Sequence, residues 1–163
     1  FQTPRFLSRS TVGENMKLGT DLADQMGFLK SFFGKKGNDF LDEVDQYLEI
    51  ADLTVNWKDD ISSLSYGQLK RLEIVRSLLS HPKVLLVDEP AAGLNAKELE
   101  KSVALMRHAA EKGVGIVLIE HKMDMIMNVC DHIVVLNFGK MIAHGTPEEV
   151  QSNEAVIEAY LGR

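Results

Sequence analysis

Cysteine is nearly missing from this 163-residue chain: Cys130 stands alone. That excludes an internal disulfide and a cysteine cluster for zinc, and it fits a reducing compartment. Long apolar runs are missing too, and none approaches the length of a membrane-spanning helix. The opening Phe1-Gln2-Thr3-Pro4-Arg5 has neither a starting Met nor the apolar segment of a signal peptide. Positive charge is in deficit. The formal net charge of −6 argues against a nucleic-acid face, since surfaces that bind phosphate backbones are basic. The chain has no internal repeat and no low-complexity tract. The phosphate-loop spacing G-x-x-x-x-G-K-[ST] occurs nowhere in it, and Gly34-Lys35-Lys36-Gly37-Asn38, which resembles that loop superficially, reads as a plain loop. The length suits one domain with a real core, or the larger part of a bigger one.

Against these absences one stretch stands out. Val84–Pro90 reads Val-Leu-Leu-Val-Asp-Glu-Pro: four apolar strand formers, two carboxylates, and a residue that cannot continue a ladder. An unbroken apolar run of this kind predicts a strand buried on both faces, as in a parallel sheet covered by helices. Ligands of such sheets gather at the carboxyl ends of the strands. Asp88 and Glu89 lie at that end, where paired acids are costly unless they meet a cation or move a proton. The plainer alternative is a strand that ends in a solvated acidic turn.

Helices fill the chain before this strand. Thr11-Val-Gly-Glu14 has the spacing of a capping box. Leu22, Met26, Leu29 and Phe33 form a helical stripe over Asp21–Phe33, flanked by Phe28 and Phe32, and it reads as core, the alternative being that the extra aromatics belong to an exposed docking surface. Phe40, Val44, Tyr47, Leu48 and Ala51 mark another helix. Ser65 and Gln68 repeat the cap spacing and open a helix whose apolar side is Leu69, Leu72, Val75, Leu78 and Leu79. Its terminus offers backbone N–H groups, a positive dipole end and, at Gly67, room for close approach. That is an anion site in outline, although an ordinary cap explains the same residues.

After the strand, Ala91–Asn95 predicts a turn in which Asn95 caps a helix with Leu99, Val103, Met106 and Ala110 inside. Val114–Ile119 predicts a second buried strand, parallel to the first, and it delivers His121 to the same edge as Asp88 and Glu89. A short helix follows, with Met123, Met125 and Met127 read as packing. Asn137-Phe138-Gly139-Lys140 between two strands is a hairpin signal. Thr146-Pro147-Glu148-Glu149 opens a helix, and Asn153 opens the last one.

These stretches resemble, in order, the motifs of the nucleotide-binding domain of ATP-binding-cassette (ABC) ATPases. Leu64–Gln68 resembles the signature normally written L-S-G-G-Q, Val84–Pro90 the Walker B strand, Ala91–Asn95 the D-loop and His121 the switch histidine. Phe1-Gln2 is similar to the end of the Q-loop strand. The wording S-Y-G-Q, D-E-P-A-A-G-L-N and I-E-H, with the Asn153–Gly162 ending, is most similar to ATPase subunits of branched-chain amino acid importers. Tyr66 in place of a signature glycine and Asn95 in place of a D-loop aspartate depart from the pattern.

The resemblance implies an α/β fold: a partial P-loop NTPase (RecA-like) parallel sheet with an inserted α-helical subdomain. Its expected parts are residues 1–9 for the end of the Q-loop region, 10–80 for the helical subdomain, 81–145 for the core with Walker B, D-loop and histidine, and 146–163 for the last helices. Because no P-loop is found, the chain is expected to be a carboxyl-terminal portion lacking it, and inactive alone. The implied cofactors are ATP and Mg²⁺. The implied roles are Glu89 as general base and His121 as its catalytic companion, with Asp88 and Gln2 at the metal. Ser65, Tyr66, Gly67, Gln68 and Asn95 are expected at the nucleotide. The implied partners are a second ATPase subunit and transmembrane permease subunits, with no nucleic acid, at the cytoplasmic face of the cell membrane. A permease-docking module that does not hydrolyse ATP and a non-transport member of the family are the alternatives.

Overall fold

The computed structural model describes residues 4–18 and 35–161. Gln2 and the helix expected over Asp21–Phe33 lie outside them. Two compact units divide the chain, Phe1–Ile119 and Glu120–Arg163.

In the first unit, helix α1 (Val12–Lys17) opens with the expected Thr11/Glu14 capping box. Helix α2 spans Lys35–Ile50, so Lys35–Asn38, expected as loop, is helical. Gly37 disfavours helix by up to about 1 kcal/mol relative to Ala. The amphipathic stripe behind it, with Val44, Tyr47, Leu48 and then Ala51 buried, carries the helix back through the glycine. A 3-10 turn at Ile61–Ser63, capped by Asp60, leads into helix α3 (Tyr66–Leu78). Leu72, Ile74, Val75 and Leu78 bury its apolar side. Arg71 is buried there as well. It donates to the carbonyls of Ala51 at 2.6 Å and Gly67 at 3.1 Å, and so satisfies the end of α2.

Strand β1 (Val84–Asp88) and strand β2 (Gly115–Ile119) pair in parallel, in register from Val84↔Gly115 to Asp88↔Ile119, with helix α4 (Ala96–Glu111) connecting them. The strand expected to be buried on both faces is buried on one. Leu85 and Val87 are inside, whereas Leu86 is 74% exposed and Val84 is exposed too. Among the described residues, helices cover only the Leu85/Val87 side. The buried face of α4 is Ser102, Leu105, Met106 and Ala109, and Ala110 is exposed. The expected stripe of Leu99, Val103, Met106 and Ala110 was rotated because it counted apolar residues only. Ser102 can be buried because its hydroxyl donates to the Glu98 carbonyl one turn back, at 3.1 Å.

In the second unit, helix α5 (Met123–Val129) precedes strands β3 (Ile133–Asn137) and β4 (Lys140–Gly145), an antiparallel pair. Phe138 and Gly139 both have positive φ, 45° and 76°, as a two-residue hairpin turn requires. Helices α6 (Pro147–Gln151) and α7 (Glu154–Leu161) follow. Ile133, Val135, Val150 and Val156 form the core, with Met123, Met127 and Cys130 packed against it; the methionines serve as packing. The fold is thus α/β; among the described residues the strands form one parallel pair and one antiparallel pair in separate sheets, the second being the hairpin that the turn signal predicted.

Candidate functional site

Strand β1 ends where its acids begin. Glu89 carries its N–H to the Ile119 carbonyl at 2.8 Å, so the ladder persists one residue beyond Asp88. The backbone of Glu89 then turns left-handed, with φ 45°, a conformation uncommon for a residue with a side chain and concentrated at functional sites. Its carbonyl accepts from Ala92 at 3.2 Å, and Pro90 and Ala91 are buried behind it. The turn therefore fixes two half-buried carboxylates at the strand's lip.

The start of α3 lies alongside. Ser65 is exposed, and its hydroxyl accepts the Gln68 N–H at 3.2 Å while the Gln68 side chain accepts the Ser65 N–H at 2.9 Å. The box closes without a charge, and the first turn holds no acid. The serine hydroxyl proton is still available to donate. The Tyr66 ring packs over Gly93, where φ is 73° and a Cβ would come within 2.7 Å of the ring. Gly67 is needed for a reason different from the one expected. It is buried, and the place a side chain would take is filled by the Glu98 carboxylate, so the glycine lets α3 approach α4. Asn95 caps α4, accepting the Glu98 N–H at 2.9 Å, as its position predicts.

Residues Ser65–Gln68, Asp88, Glu89 and Asn95 all belong to the first unit. Lys70, on the second turn of α3, reaches the Glu89 carbonyl at 3.1 Å; sequence reasoning passed over it as one more lysine of an amphipathic helix. His121 comes two residues after the end of β2, in the second unit, and its side chain is 67% exposed. The buried Glu120 carboxylate accepts the His121 backbone N–H at 2.9 Å and stands 3.4 Å from Nδ1. That contact favours the tautomer protonated at Nδ1. Glu120 too was missed. The I-E-H wording was its only signal. Gln2 lies outside the described residues.

Among the described residues no three His, Cys, Asp or Glu side chains cluster as a metal cage. Asp88 and Glu89 fit a cation of another habit: Mg²⁺ keeps much of its water, binds through one or two carboxylates and completes its shell on phosphate.

The ABC transporter family model matches residues 1–92. The chain belongs to the ABC transporter family. A second family model, branched-chain amino acid ATP-binding cassette transporter, matches residues 140–163. Among curated relatives, the high-affinity branched-chain amino acid transport ATP-binding protein BraF of Pseudomonas aeruginosa is 38% identical over 99% of this chain and 66% of its own length. LivG of Escherichia coli, of the same description, is 39% identical with the same coverage. The chain spans about two thirds of the length of these relatives. A nucleotide-free ATP-binding cassette from an ABC transporter superposes with a TM-score of 0.73 at 32% identity, over 100% of this chain and 67% of that one. The ADP conformation of an ATP-binding cassette gives 0.72 at 33% identity, with the same coverage.

Three expectations are corrected by the match over residues 1–92. They are that the chain is a portion defined by a lacking P-loop, that its fold is partial for that reason, and that it is inactive alone. The match is that of an ATPase module of the family, and it gives no ground for treating the P-loop as lost from the protein. The physical error was to read a motif's absence from one stretch as a property of the molecule. ABC transporter membership carries ATP and Mg²⁺ as cofactors. Among the described residues, no helix is long and apolar enough to cross a membrane.

Proposed function

We propose that this ABC family chain is the ATP-binding and ATP-hydrolysing part of an importer for branched-chain amino acids or similar small solutes. The observation that carries the reading is the pairing of an exposed, acid-free helix start at Ser65 with the Asp88–Glu89 lip in one compact unit. A positive helix end favours phosphate by roughly 0.3–2 kcal/mol, and the adjoining carboxylates suit a metal and a proton acceptor. Similarity to the branched-chain amino acid transport proteins, including the tail match at residues 140–163, supports the choice of solute.

In this reading Ser65 and the backbone of Tyr66, Gly67 and Gln68 hold the γ-phosphate of ATP bound mainly by a second ATPase subunit, with Asn95 near the same seam. Asp88 would hold Mg²⁺, which would offset the charge of the phosphate, and Gln2 would serve the same ion. Glu89 accepts a proton from the attacking water, and His121 keeps that water and the γ-phosphate in line. Closure of the two ATPase subunits drives transmembrane permease subunits, which places the protein at the cytoplasmic face of the membrane.

Steady-state hydrolysis by the whole protein tests this. Glu89→Gln removes the proton acceptor with little change of shape and is expected to slow turnover about 100- to 10,000-fold, the usual worth of a positioned base. Turnover near the unsubstituted rate would remove Glu89 from the role.

A further inference from the structure

The Lys70 side chain is a charged group in a costly place. The residue is 5% exposed, and a buried ammonium needs a partner to offset its lost hydration. Two are present. The Glu89 carbonyl lies 3.1 Å from Nζ, and the ring of Tyr66, one turn back on α3, has its centroid 5.9 Å away. The carbonyl is an unusual target. It belongs to the one residue of the lip held at a φ of 45°, and it already accepts from Ala92 at 3.2 Å. Glu89 is therefore held from three directions: its N–H by the Ile119 carbonyl, its carbonyl by the turn, and the same carbonyl by α3. Take away the ammonium and the left-handed backbone keeps its strain but loses its charged anchor. The peptide that carries the carboxylate can then rotate toward commoner conformations.

We propose that Lys70 is a positioning residue for Glu89: by holding the Glu89 carbonyl it fixes the direction of the carboxylate and ties it to the second turn of the Ser65 helix. The inference rests on the reading of Glu89 as the base in hydrolysis. It concerns the rate of the chemical step and not nucleotide affinity, because Lys70 contacts the backbone of the base and lies beneath the exposed face of the helix start.

The test is a double-mutant cycle on ATP turnover by the whole protein, with Lys70→Met and Glu89→Gln. Displacing a reacting group by about an ångström can cost on the order of 100-fold. Lys70→Met is therefore expected to lower kcat about 10- to 100-fold, with KM for ATP little changed. In the Glu89→Gln background the same substitution should have almost no further effect, since there is no base left to aim. An equal loss in both backgrounds, or a change confined to KM, overturns the proposal. Should Lys70→Met fail to fold by circular dichroism, Lys70→Gln is read in the same two backgrounds by the same criteria. Glu89→Gln without effect is a failure of the functional reading itself; a strong Glu89→Gln effect beside an additive Lys70 effect is a failure of this inference alone.

Discussion

Helices α1 and α3 begin in almost the same way, but only one of the two starts is neutralised by an acid. The Thr11 N–H reaches the Glu14 carboxylate at 2.8 Å and the Ser65 N–H reaches the Gln68 amide oxygen at 2.9 Å; the return bonds, to the two hydroxyls, are both 3.2 Å. In α1 the closing residue is an acid, and its negative charge neutralises the positive helix end. In α3 it is neutral, so the helix end keeps its field for something else. The same contrast holds for α4, closed by Glu98, and α6, closed by Glu149. Capping geometry serves the helix in every case; only the Ser65 start, among the capping boxes of the described residues, is left electrically open. A neutral box is the arrangement that an incoming phosphate favours, and it is found beside the two carboxylates that the proposed chemistry uses.

Gln68→Glu breaks the comparison most directly, because it turns the α3 box into an α1-type box. Stability should hold or rise slightly, while ATP turnover should fall by about 2- to 30-fold, the rate equivalent of the helix-end interaction. Coupled melting and activity measurements check this, and Glu14→Gln is the control expected to leave turnover alone. Removing the caps themselves should treat the two helices alike in stability. Ser65→Ala and Thr11→Ala are each expected to cost about 0.5–2 kcal/mol in denaturant unfolding, but only the first should also slow hydrolysis.

The smallest expected effect is on pH dependence. The Thr11 backbone N–H, with help from the Thr11 hydroxyl, holds the Glu14 carboxyl below the usual carboxylate range. A lowered folded-state value contributes stability above the ordinary carboxylate value, and that stability is lost as pH falls through the lowered one. Acidification should therefore fray α1, read by amide exchange in its first turn. Gln68 does not titrate, so α3 should give no such step. Equal acid sensitivity at both starts would remove charge as the difference between them.

Much of the fold was legible in the sequence because it depends on local chemistry. The caps at Thr11, Ser65, Asn95 and Thr146 follow from residue type and a spacing of three. The hairpin turn at Phe138-Gly139 and the parallel pairing of the two apolar strands follow from turn chemistry and the length of the crossover. What failed depended on neighbours. The inner face of α4 turns on Ser102, a polar residue that satisfies itself one turn back. Among the described residues helices cover one face of β1 and Leu86 lies on the other, and a run of apolar residues says nothing about how many faces are covered. Gly67 was read as space for a ligand and is space for Glu98. Lys70 carries no motif at all, and Glu120 only the I-E-H wording. Each acts through a backbone or ring contact with a motif residue, and such residues can be found only once the fold brings them together.

The central claim is that the Ser65 end of α3 faces nucleotide phosphate while the similar Thr11 end of α1 does not. With Cys130 the chain's sole cysteine, single thiols placed by Ser65→Cys or Thr11→Cys in a Cys130→Ala background report this by their alkylation rates in the whole protein. If the two ends differ in this way, Mg-ATP slows labelling at position 65 and leaves position 11 as it was. Labelling at position 65 that is indifferent to Mg-ATP, in protein that still hydrolyses it, would contradict the claim.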